Sequence, residues 1–169
     1  MEPNEALGIA AQVAVALAGF AGVVVVFKPD PVPHLTRLDR IRLQLLLHNS
    51  VCPLAYALFG MLLLCVKPAP DSIWRWCSGF ALAFQAPGAF IAFRNARNLT
   101  PEEYRNSSKP LLYGIGAMGF LALVFQVCNV ATLNLFWPFF LFIVAHLIAG
   151  MLQFLRMVML LPPKEGDGK

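Results

Sequence analysis

The sequence predicts an all-α fold: a polytopic membrane helix bundle of five transmembrane helices, forming a single membrane domain over residues 1–169, with the N-terminus outside and the C-terminus cytoplasmic. Three observations carry this. Of 169 residues, 59% are hydrophobic and 13% charged, where soluble domains carry about 25% charged residues. The charges are segregated: residues 7–27, 43–66, 76–93, 111–132 and 134–155 contain no Asp, Glu, Lys or Arg. Each stretch is long enough, at about 1.5 Å per residue, to cross roughly 30 Å of hydrocarbon. Finally, runs such as Val23-Val24-Val25-Val26-Phe27 and Phe139-Phe140-Leu141-Phe142 lack the polar/apolar alternation of a membrane barrel. Only a helix then satisfies its backbone polar groups within one segment in lipid. A soluble enzyme, a nucleic-acid-binding domain and a disordered tail are excluded.

The first span follows an acidic leader, Glu2 and Glu5. Ala16-Leu17-Ala18 has the form of a signal-peptide cleavage site. The leader lacks a basic region, however, and the apolar run continues past Ala18, so a retained helix is expected. Ala10, Ala14, Ala18 and Gly22 recur every fourth residue. This small-residue ridge lets backbones approach closely, against another span or a second chain.

The connection 28–42 begins with Pro29, Pro31 and Pro33, which enforce an extended path. Thr36 then caps a helical extension of the second span. On it Leu38, Ile41 and Leu45 recur at helical spacing opposite Arg37 and Arg40. Arg37, Arg40 and Arg42 are expected to hold lipid phosphate headgroups; a docking surface for a soluble partner is the alternative. The second span carries His48-Asn49-Ser50-Val51-Cys52-Pro53, and the third Gln85-Ala86-Pro87-Gly88. Pro53 and Pro87 each remove a backbone donor and break their helix.

The connection 94–110 contains Thr100-Pro101-Glu102-Glu103, a helix-start signature. In the fourth span Gly114, Gly116 and Gly119 match a dinucleotide-binding spacing. No strand precedes them, so they are expected to be packing contacts. A single residue separates the fourth span from the fifth, which carries His146 and Gln153.

Orientation follows from the basic residues. Of 13 Lys and Arg, only Lys67 and Arg75 fall on one side; the other eleven fall on the side that becomes cytoplasmic. Trp74, Trp76 and Trp137 sit at the opposite ends of their spans, as interfacial indoles do.

Polar side chains within spans are costly in lipid and mark function or helix–helix bonding. His48, Asn49, Ser50, Gln85, His146 and Gln153 are the candidates for lining a path. With two broken helices at similar depth, they suggest an oligomeric channel or permeation protein. A non-catalytic accessory or assembly subunit of a membrane complex is the alternative. A redox protein holding haem between His48 and His146 is a third reading, with no paired-ligand pattern to favour it. No cofactor, metal site or enzymatic activity is expected; Cys52, Cys65, Cys77 and Cys128 form no C-x-x-C. The expected partners are membrane lipids and either further copies of the chain or another membrane protein, with no nucleic acid. Short loops suit a multi-pass protein of a bacterial inner membrane.

Overall fold

A computed structural model describes residues 1–27, 37–68, 70–97 and 109–159. Among these residues the secondary structure is helical throughout, with no strand. The elements are α1 (Pro3–Phe27), α2 (Arg37–Cys65), α3 (Ile73–Arg97), α4 (Lys109–Cys128), a π-helical turn (Asn129–Leu133) and α5 (Phe136–Met159). Four described segments are long and apolar enough to cross a membrane: Pro3–Val23, Arg40–Cys65, Tyr113–Leu133 and Phe136–Val158. The remaining helix, α3, has 25 residues, with Arg75 near its start and Arg94 and Arg97 in its last turn.

Helix α1 starts on half of a capping box. Pro3 occupies the first helical position, where its missing N–H costs nothing, and the Glu2 backbone N–H donates to Glu5 Oε2 at 3.3 Å. Its buried stripe is Leu7, Ala10, Ala14, Leu17 and Ala21. It coincides only in part with the expected ridge of Ala10, Ala14, Ala18 and Gly22: the first two are buried, Ala18 is half-buried and Gly22 is exposed. Helical periodicity explains the difference. At 3.6 residues per turn, a strict four-residue repeat drifts by about 40° per step, and hence by about 120° between Ala10 and Gly22. The true core-facing stripe alternates steps of three and four.

Helix α2 begins six residues before the apolar run, at Arg37, so the basic segment Arg37–Arg42 continues the helix as expected. Thr36, the Pro29–Pro33 segment and the helix start expected at Thr100–Glu103 lie outside the described residues, as does the Arg37 side chain. Helix α2 is the centre of the bundle, packing most extensively on α1 and α5, and also on α3. Helix α4 contacts α5 and α3.

The main core joins Leu7 and Ala10 of α1, Tyr56 and Ala57 of α2, Cys77 and Ala81 of α3, Ala122 of α4, and Phe139, Phe142 and Ile143 of α5. A smaller cluster of Ala21, Leu43, Leu46 and Met157 closes the Arg42 end. Outward faces are apolar too: Val26, Leu62, Phe90, Phe120 and Leu121 are each more than half exposed. A surface of that kind suits hydrocarbon rather than water.

The fourth and fifth helices are separated by more than the single expected residue. The Asn134 N–H reaches the Asn129 carbonyl at 3.2 Å, an i to i+5 closure. Asn134 itself is left-handed at φ 50°, a conformation that asparagine tolerates better than most residues. Helix α5 then starts at Phe136, with Pro138 in its first turn.

Candidate functional site

Three helices converge on one side-chain atom. His48 Nε2 of α2 lies 3.0 Å from Gln85 Oε1 of α3, and His146 Nε2 of α5 lies 3.1 Å from the same oxygen. The Tyr56 hydroxyl of α2 donates to it at 3.1 Å. The imidazole centroids are 6.3 Å apart. Tyr56 is fully buried and His146 is 7% exposed; His48 and Gln85 are half-buried. Local helix geometry supplies each member. His48, Cys52 and Tyr56 follow at four-residue spacing and share one face of α2, and the Cys52 thiol sits 3.4 Å from His48 Nδ1. His146 reaches one turn back, its Nδ1 lying 2.9 Å from the Phe142 carbonyl. The edge of Phe142 and the ring of Tyr56 pack around it at 4.5 and 5.6 Å between centroids.

One glycine permits this convergence, and a second lies at another close helix contact. A Cβ on Gly88 of α3 would overlap the His48 ring, so α3 approaches α2 only because the position is bare. A Cβ on Gly150 of α5 would stand 3.4 Å from the Asn49 carbonyl, the carbonyl whose helical donor Pro53 removes. Thus α5 packs against α2 where that helix lacks a backbone hydrogen bond; the expected breaks are not seen, since α2 and α3 run on as helices through Pro53 and Pro87. Pro53 is buried, while Pro87 is exposed.

The other expected site residues lie apart from this junction. Asn49 Nδ2 donates to the Leu45 carbonyl at 2.8 Å, and Ser50 Oγ to the Leu46 carbonyl at 2.8 Å; both bonds stay within α2. Gln153 is buried with its Oε1 unpartnered, and one turn on, two guanidinium nitrogens of Arg156 are likewise buried without a partner. Arg40 is exposed and Arg42 half-buried at the same end. Around Gly114, Gly116 and Gly119 no atom of the described residues lies within 4 Å of where a Cβ would be.

Tyr56 and Cys52 escaped the sequence reading as members of the site. Their spacing from His48 was the available signal. A second polar junction was also missed as a unit, at the Asn134 end. Asn129, fully buried, donates through Nδ2 to Ser78 Oγ at 2.8 Å and to the Leu135 carbonyl at 3.0 Å. Its Oδ1 accepts the Leu135 N–H at 2.8 Å. Gln126 Nε2 donates to the Pro138 carbonyl at 2.6 Å. Asn134 clasps the start of α3, accepting the Arg75 N–H at 3.0 Å and donating to the Asp71 carbonyl at 2.9 Å. A small pocket lined by Glu2, Pro3, Asn4, Leu64 and Cys65 opens where α1 begins and α2 ends.

Chemically, the central junction offers two imidazoles, a phenol and a carboxamide in direct hydrogen-bonding reach, with the Cys52 thiol beside His48. The Gln85 side chain bridges the two Nε2 atoms, the imidazole rings are tilted by 47°, and Phe142 packs against His146. Comparison with known proteins finds no family model that matches this chain, and no curated protein or solved structure similar to it.

Proposed function

We propose that the protein is a multi-pass integral membrane protein with five spans, N-terminus outside, whose central polar junction lies on a permeation path. Helix α3 supports the fifth span, since its 25 residues carry no charge between Trp76 and Phe93. The bias of basic residues supports the orientation, and the short loops support a bacterial inner membrane. The observation that carries the path is the convergence of His48, Gln85, His146 and Tyr56 from α2 and two neighbouring helices, near the middle of each. Ionisable groups at that depth are costly and mark routes for ions or polar solutes. The arrangement described is closed, with every member of the junction bonded to another, so passage requires α3 to move relative to α2 and α5. The test is reconstitution into liposomes with ions and a small polar solute offered in turn. Flux that is lost in His146→Ala supports the path; liposomes as tight as protein-free controls refute it.

A second reading has its own observation. Gly19 and Gly22 of α1, and Gly114, Gly116 and Gly119 of α4, leave small-residue surface uncovered by the described residues. Such surfaces suit close helix association, in a homo-oligomer or with a different membrane subunit. A defined multimer of this chain alone supports the oligomeric channel. A stoichiometric second chain co-purifying from native membrane favours the accessory role.

A further inference from the structure

The hydrogen-bond partners of His146 constrain where its protons can be. The Phe142 carbonyl can only accept, so the Nδ1 facing it at 2.9 Å carries a proton. A neutral His146 then has a bare Nε2. That bare nitrogen faces Gln85 Oε1 at 3.1 Å, and two acceptors at that separation repel. Two arrangements remove the conflict. In one, His146 holds a second proton; Nε2–H donates to Oε1, which also accepts from the Tyr56 O–H and His48 Nε2–H. In the other, His146 is neutral and the Gln85 carboxamide is turned over, so that its NH2 donates both hydrogens, to His146 Nε2 and to His48 Nε2. The Tyr56 O–H then leaves Gln85 and turns to Cys52 Sγ, and His48 carries its own proton on Nδ1.

We propose that this junction is a one-proton switch: His146 takes up a proton on Nε2, and Gln85 turns its carboxamide from donor to acceptor in response. The inference rests on the permeation reading, for which it supplies the control. Among the described residues, the titratable groups facing His146 are His48 and Tyr56, both from α2; Gln85 of α3 and Phe142 of its own helix complete the contacts. No carboxylate is among them, so the added charge is met by two carbonyl dipoles. The responding residue sits at a weak point. Gln85 lies two residues before Pro87, where α3 lacks a backbone hydrogen bond, and three before Gly88, which rests against the His48 ring. Turning the carboxamide therefore exchanges the bonds tying α3 to α2 and α5 at the place where α3 bends most readily.

The test is NMR of the full chain in lipid nanodiscs, with labelled histidine and glutamine side chains, between pH 8 and pH 4. The expected result is one midpoint shared by proton uptake on His146 and the turn of the Gln85 carboxamide, with the His146 Nδ1 proton present throughout. In Gln85→Met no carboxamide remains to turn, and the His146 midpoint moves. A Gln85 resonance that stays constant while His146 takes up its proton overturns the switch, as does a His146 that takes no proton in this range. These wild-type readouts decide even if Gln85→Met does not fold. Proteoliposome flux over the same range separates this inference from the one beneath it. A common midpoint without flux at any pH keeps the switch and removes the permeation path. Flux that ignores pH, without a common midpoint, does the reverse.

Discussion

Replacing Asn129 by alanine removes three short hydrogen bonds at once, those to Ser78 Oγ, to the Leu135 carbonyl and from the Leu135 N–H. Side-chain hydrogen bonds inside membrane proteins average about 0.6 kcal/mol each, so the loss is about 2 kcal/mol. Ser78→Ala removes one of the three and should cost about 0.6 kcal/mol. Asn129→Asp keeps the acceptor for Leu135 N–H but sets an acceptor against the Leu135 carbonyl, and is expected to cost more than Ser78→Ala. Reversible unfolding in mixed micelles, followed by tryptophan fluorescence, reads all three, since Trp74 lies on the element that Asn129 holds. If Asn129→Ala were no more destabilising than Ser78→Ala, the view of Asn129 as the knot between α3, the π turn and α5 would be refuted.

Other outcomes follow from the same geometry. Gly88→Ala drives a methyl into the His48 ring and should cost about 1–3 kcal/mol, as overpacking does; an unchanged unfolding midpoint contradicts the close approach of α3 to α2. Gly60→Ala places its Cβ 2.9 Å from Leu7 Cδ1 and 3.3 Å from Phe139 and should destabilise by a similar amount in the same assay. Tyr56→Phe loses one bond to Gln85 and should cost about 0.6 kcal/mol, while shifting the Gln85 side-chain resonance. Cys65 is exposed and Cys77 is fully buried, so a thiol reagent should modify Cys65 and leave Cys77 untouched until unfolding. With an impermeant reagent, labelling of Cys65 from the outer side only checks the proposed orientation.

The helices were legible because charge-free apolar runs leave hydrocarbon few other ways to be crossed, and the described helices span those runs with modest shifts at their ends. The convergence of His48, Gln85 and His146 was half-legible: helical rise put all three at similar depth, but depth says nothing about which faces meet. Tyr56 was passed over because an aromatic ring counts as apolar until its hydroxyl is placed. Asn49 and Ser50 misled for the opposite reason, since each satisfies itself on the preceding turn of its own helix. The ridge on α1 coincides only in part with the buried stripe, because four-residue repetition looks like a face yet winds around the cylinder. The π turn had no sequence signature short of Asn129 and Asn134 themselves, whose side chains reach elements some fifty to sixty residues away.

The clasp made by Asn134 also bears on how the chain is assembled as it is synthesised. The amide and carbonyl it holds belong to Arg75 and Asp71, 59 and 63 residues earlier. Until the ribosome has delivered the later hairpin, the start of the third helix stands with those groups open to water at the membrane border. Closing them is thus one of the last steps in building the bundle, and a polypeptide released before residue 134 would leave that corner unlatched for quality-control proteases to find.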